Sequence, residues 1–172
     1  LHRERSLAAD TYILYDLPYS LEQLDHALTY LHHGQRYYLL LRHEQDHFLS
    51  TIPEREHFRW FYGFLKQREA FDIHSYGTQL AKHKGWTWNA IQFMTEVFLE
   101  LRFVTMEQGR IRVLDAPAKK NLTESSTYRR KLEQLEVEQA LIYSSYGQLS
   151  ERLRSVLQKV SHEDEEARIH GF

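Results

Sequence analysis

The chain has 172 residues, 42% hydrophobic and 13% aromatic, which is enough apolar surface to pack one domain or two small ones. Cysteine is absent, which excludes a disulfide framework, a thiolate zinc site and a cysteine nucleophile. The formal charge of −2 neither demands nor excludes a nucleic-acid partner, and no stretch approaches the roughly 20 apolar residues of a membrane span. No signal-like series opens the chain, so no membrane partner is expected and a cytoplasmic location is. Leu1 stands where a Met would, and the sequence enters a strand-like segment at once; a piece of a longer polypeptide is expected, with anything catalytic in the missing part.

Thr11 to Asp16 (TYILYD) is rich in strand formers, and Asp16-Leu17-Pro18 ends it. Ser20 and Gln23 have capping-box spacing, Tyr19 and Leu24 are placed for a hydrophobic staple, and Leu21, Leu24, Leu28 and Leu31 share one helical face. Gly34 closes that helix. Arg36 to Arg42 (RYYLLLR) is a second strand, whose near-continuous apolar run suits a sheet covered on both faces. Strand, helix and strand make a right-handed βαβ unit with a parallel pair. Two strands are too few for a stable sheet, so His47 to Thr51 is expected as a third, with the missing part of the parent completing the rest.

The next helix is expected from Pro53 to about Glu69, with Thr51 as N-cap, and with Arg55, Arg59 and Lys66 on one face opposite Phe58, Phe61 and Leu65. Then come a helix from Ser75 to Lys84, a turn at Gly85, and a longer helix from Thr87 to Leu101, with Ser75 and Thr87 as caps. Phe103-Val104 and Ile111-Val113 alternate around a Gln108-Gly109 turn and predict a hairpin. Helix, turn, helix and wing form a winged-helix unit. Asp115 to Asn121 is a basic connector, and helix resumes near Thr123. Tyr128, Leu132, Leu135, Gln139, Ile142, Tyr146, Leu149, Leu153, Val156 and Val160 trace a coiled-coil-like seam, with a kink or break at Ser144 to Gly147. Glu163 to Glu166 is an acid run expected to be mobile. The fold expected is thus an N-terminal α/β βαβ unit over residues 1–52 and a winged-helix unit over 53–115. A connector, long C-terminal helices and an acidic tail follow over 116–172, and the whole is helix-rich.

His43-Glu44-Gln45-Asp46-His47 matches H-E-x-x-H, a zinc-protease pattern that needs a helix. Here it directly follows a strand and lies close to Pro53, so it reads as a loop and no metal site is expected. His32, His33 and His162 are scattered. No glycine-rich phosphate cradle follows either strand, and no Gly-x-Ser-x-Gly elbow is present. Basic residues, by contrast, gather from Arg55 to Lys131. The candidate DNA-binding residues are Lys82, Lys84, Arg110, Arg112, Lys119, Lys120, Arg55, Arg59 and Trp88, with Trp86 and Tyr76 as further stacking rings and with Lys66, Arg129, Arg130 and Lys131 in the same collar. The second helix of the pair carries Glu96 and Glu100 and almost no cation, which argues against reading bases in a major groove.

YDLP followed by SLEQL, then FRWFYGFLKQREAFD, LAKHKGW, FMTEVFLELRFV and PAKKNLTESSTY, in that order from Tyr12 to Leu153, resembles the C-terminal region of the RecJ family, single-stranded-DNA-specific exonucleases. It is similar to the longer variant with an extra region after the nuclease core. The resemblance implies a parent enzyme of DNA repair and recombination that cleaves single strands 5′ to 3′ with Mn or Mg in its catalytic core. The family's Asp-His-His signature has no counterpart here: Asp25-His26 is followed by Ala27, and Asp46-His47 by Phe48. No catalytic residue, no cofactor and no enzymatic activity are therefore expected in this fragment. Its expected role is to assist binding of single-stranded DNA. The alternative is a protein-interaction or architectural module that packs on the rest of the nuclease chain or binds single-stranded-DNA-binding protein.

Overall fold

The computed structural model describes residues 11–15, 17–29, 36–40 and 52–169. The chain divides into two compact units, residues 1–45 with 133–172, and residues 46–132.

In the first unit, strand β1 (Thr11–Tyr15), helix α1 (Leu21–Thr29) and strand β2 (Arg36–Leu40) form a parallel pair with Ile13 opposite Tyr38. Ser20 Oγ accepts from Gln23 N at 3.1 Å and Gln23 Oε1 accepts from Tyr19 N at 2.7 Å, so the reciprocal cap reaches one residue further back than a Ser20/Gln23 box. Tyr19 is exposed and forms no staple on Leu24. Leu24 is fully buried and, with Leu28, packs against Val137 and Leu141. The sheet is not covered on both faces as expected: Ile13, Tyr15 and Tyr38 are exposed, while the apolar face of α1 is taken up by Val137 and Leu141. Gly34, the expected third strand His47–Thr51, His32, His33 and the His43–His47 segment lie outside the described residues.

Helix α5 (Ser126–Leu141) and helix α6 (Tyr146–Ile169) are separated at the expected break. Ser145 makes that break, since its Oγ accepts from Gln148 N at 3.3 Å while Gln148 Oε1 accepts from Ser145 N at 2.8 Å. The single seam does not survive it. Tyr146 is 87% exposed, and the buried residues of α5 are Lys131, Val137, Glu138 and Leu141, whereas Leu135 and, just past the helix, Ile142 are half-buried. The physical reason is that the two ends of α5 serve different cores: Tyr128 packs in the second unit and Val137 in the first. Leu149, Leu153 and Val156 remain on the inward side of α6. The acid run Glu163–Glu166 lies inside α6, in keeping with the helix propensity of Glu.

The second unit runs helix α2 (Arg55–Lys66), strand β3 (Phe71–Asp72), helix α3 (Ile73–Lys84), helix α4 (Trp88–Glu100), strands β4 (Val104–Glu107) and β5 (Arg110–Val113), a 3-10 turn (Leu122–Glu124) and the start of α5. Its sheet is antiparallel, in the order β3-β5-β4. Helix α2 is shorter than expected, and its cap is Glu54 rather than Thr51, with Glu54 N donating to His57 Nδ1 at 2.9 Å. Likewise Asp72, not Ser75, caps α3: its two oxygens accept from Ser75 N and Ser75 Oγ, each at 2.9 Å. A carboxylate at that end takes two donors and suits the positive end of the dipole, which a hydroxyl does less well.

Thr87 does cap α4, accepting from Ala90 N at 3.1 Å, and Gly85 (φ 68°) supplies the left-handed turn before it. Gln108 (φ 48°) and Gly109 (φ 78°) make the two-residue hairpin turn. Phe58, Phe61, Ile91, Met94, Val97, Phe98 and Ile111 centre the core of this unit.

Candidate nucleic-acid interface

Charge is divided between the two units. Residues 46–132 hold 14 Lys and Arg against 10 Asp and Glu, a formal +4; the remaining residues hold 8 against 14, a formal −6. Several acids of the basic unit are occupied at the starts of helices. The Asp72 carboxyl is held below the usual carboxylate range by the Ser75 backbone N–H and hydroxyl. Glu124 Oε1 accepts from Asn121 N at 2.7 Å, and Glu56 pairs with Arg59 at 3.0 Å.

Glu100 is the fullest case. From the end of α4 its carboxylate accepts from Ser125 Oγ (2.6 Å), Ser126 Oγ (3.0 Å), Thr127 N (3.1 Å) and Thr127 Oγ1 (2.6 Å) at the first turn of α5. Burial pushes its pKa up, but the hydrogen bonds from Ser125, Thr127 and Ser126 outweigh this and bring it down to about 2. It is exposed, yet it is a cap rather than an anion presented to a ligand. No spacing in the sequence signals a cap supplied from 25 residues away.

Two concave regions collect the candidate residues. The first is a groove of about 370 Å³ in which Arg55 and Arg59 of α2 meet Lys119 and Lys120 of the connector, over a floor that includes Phe58, Tyr62, Phe98 and Phe103. These two pairs of cations are far apart in the sequence, and the fold brings them together. Glu100 contributes indirectly, since it anchors Ser125–Thr127 just beyond the connector. The second is an open cleft of about 820 Å³ lined by Arg110 and Arg112 of β5, Tyr76 and His83 of α3, and Phe64 and Arg68 at the end of α2. Sequence reasoning missed Arg68 and His83; the clue available was Arg68 directly after the α2 apolar face.

Lys82 is exposed on α3 and lines neither region, and Arg129 and Arg130 are exposed on α5. The Lys84 ammonium lies 4.1 Å from the Trp60 ring centroid and 5.7 Å from that of Trp86, a cation held over two indoles. Lys131 is buried. Trp88 is half-buried against Gly77, where an added Cβ would fall 2.1 Å from its ring, so α3 carries glycine in its middle to admit that indole. Helix α4 buries Ala90, Ile91, Phe93, Met94, Thr95, Val97 and Phe98 and exposes Asn89, Gln92, Glu96 and Glu100. Among the described residues, no group of three or more His, Asp and Glu could hold a metal ion, and no helix is long and apolar enough to cross a membrane.

Residues 2–153 match the family described as single-strand DNA-specific exonuclease, C terminal domain. The chain belongs to that family. It is also 44% identical over 155 residues to the single-stranded-DNA-specific exonuclease RecJ of Bacillus subtilis (strain 168), an alignment that covers 90% of this chain and 19% of that relative. The chain thus spans about one fifth of the RecJ relative it matches. No solved structure matches it. Membership in the exonuclease C-terminal family accords with the resemblance carried by the block order from YDLP to PAKKNLTESSTY.

Proposed function

We propose that this chain is a non-catalytic accessory region that helps a RecJ-like nuclease hold single-stranded DNA, acting through a winged-helix unit. The order α2, β3, α3, α4, β4, β5, with β5 in the middle of the sheet, supports the winged-helix reading, β4 and β5 being the wing. The observation that carries the functional reading is the charge partition. The unit with the wing is net positive, and Asp72, Glu100 and Glu124 within it are turned to capping. Cleavage, with Mn or Mg, would belong to the parent's catalytic core, in a cytoplasmic repair and recombination enzyme. Helix α4 offers no cation, so contact falls on phosphates and splayed bases rather than on base edges in a groove.

The test is a titration of this chain with labelled oligodeoxynucleotide at two salt concentrations. Binding should be weak, indifferent to sequence, stronger for single strands than for a duplex of equal length, and lost with salt at a slope of about 0.7 per phosphate contact. Absence of salt-dependent binding at low ionic strength would end this reading.

One observation favours a second reading. The groove between α2 and the connector sets four cations around an aromatic floor, a combination suited to an acidic segment bearing an apolar side chain. A segment of that kind on single-stranded-DNA-binding protein, or on the rest of the nuclease chain, would make this region a docking module. Arg55→Gln with Lys120→Gln should then abolish capture of the partner and leave oligonucleotide binding in place.

A further inference from the structure

We propose that the open cleft between β5, α3 and the end of α2 is a nucleotide subsite for a single strand, with one base stacked on Tyr76 and its flanking phosphates on Arg110 and Arg112. The inference rests on the single-stranded-DNA reading and names where on the unit the strand lies. The cleft's volume of about 820 Å³ is within the roughly 300–1,000 Å³ usual for ligand sites.

The residues are set for that task by local structure. Arg110 and Arg112 alternate with Ile111, which is buried, so both side chains leave the same outer face of β5 from backbone positions about 6.6 Å apart along the strand, and each can meet its own anionic group. The Tyr76 ring is 56% exposed although the helix that bears it is firmly packed through Leu80 and Ala81. It is a rigid aromatic face turned to solvent, which a base removed from its stack can cover. Arg68 is fixed in advance: its Nη1 donates to the Phe64 carbonyl at 2.8 Å, and its Cζ lies 3.6 Å from the Phe64 ring centroid.

Two acids also line the cleft. Asp72 is taken up by Ser75 at the start of α3, and Glu69 opposes an anion and keeps affinity low. At roughly 100° per residue, Phe64 lies on the opposite side of α2 from Arg59 and Tyr62, and the two regions share no lining residue, so this cleft and the connector groove can be tested separately.

The experiment follows anisotropy of a fluorescein-labelled oligo(dT) with the 172-residue chain at low salt. Tyr76→Ala should weaken binding about 5- to 150-fold, the stacking contribution of one base, while Tyr76→Phe should restore it. Arg110→Gln with Arg112→Gln should flatten the salt slope by about 1.4, two contacts at 0.7 each. Binding of a duplex of equal length should not respond to Tyr76→Ala. If these variants bind oligo(dT) as the parent does while Arg55→Gln with Arg59→Gln loses it, the strand lies in the other groove; the subsite is then wrong and the single-strand reading stands. If the parent chain binds no oligonucleotide, both fall.

Discussion

Glu100→Ala removes the acceptor of four hydrogen bonds that join the end of α4 to the first turn of α5. Loss of a side-chain cap costs about 0.5–2 kcal/mol. The carboxylate is exposed, so the full pKa displacement overstates its contribution once solvent screening is counted, and the cap range is the better guide. For a unit of this size, 1 kcal/mol moves Tm by about 4–8 °C, so a drop of roughly 2–16 °C is expected at pH 7. The pH dependence has a definite sign. The folded pKa of about 2 is below the ordinary 4.5, so the stabilisation is complete above about pH 4.5 and is lost as pH falls through 2. Urea melts of the parent and of Glu100→Ala at pH 7, 5 and 3 should show a gap that is constant from 7 to 5 and narrower at 3. Equal melts at pH 7, or a gap that widens in acid, would show that the capping geometry carries no stability.

Leu141→Ala should cost about 2–5 kcal/mol, while Leu135→Ala, at a half-buried position, should cost clearly less; equal costs in chemical melts would restore the single seam. Arg102 holds φ 59° just after α4, where Phe103 N bonds the Phe98 carbonyl at 2.9 Å in a glycine-type helix stop. Arg102→Gly should therefore raise stability by up to about 1 kcal/mol, and a lower Tm for that variant would refute the strain.

What the sequence made legible was whatever depends on neighbours in the chain. Thr87, Gly85 and the Gln108-Gly109 turn act within a few residues, so their chemistry fixes their conformation wherever the unit folds. The parallel β1–β2 pair follows from a helical crossover joining two consecutive strands. What failed was competition between equivalent local signals. Asp72 and Ser75 are both good caps three residues apart, and the carboxylate wins with two acceptor oxygens. The seam of α5 failed because burial there is decided by two different cores, which periodicity along one helix cannot show. For the same reason the candidate site was legible as a list of cations but not as a shape. The meeting of Arg55 and Arg59 with Lys119 and Lys120 is a product of tertiary packing.

Helix α4 shows why the proposed strand binding would have to do without a reading helix. In a helix–turn–helix that reads bases, the second helix has to leave one face polar and cationic; here α4 is buried over most of its circumference by Phe58, Phe61 and Tyr128. What remains outward is Asn89, Gln92 and Glu96, a strip without a cation, and Glu100 at its end is committed to α5. Replacing Gln92 should consequently change neither affinity nor base preference. The positive charge sits instead on α2, β5 and the connector, elements that on the proposed reading would offer cations to phosphates without a fixed pattern of donors and acceptors for base edges. That distribution fits the proposed sequence-indifferent binding of a single strand, and it would serve a sequence reader poorly.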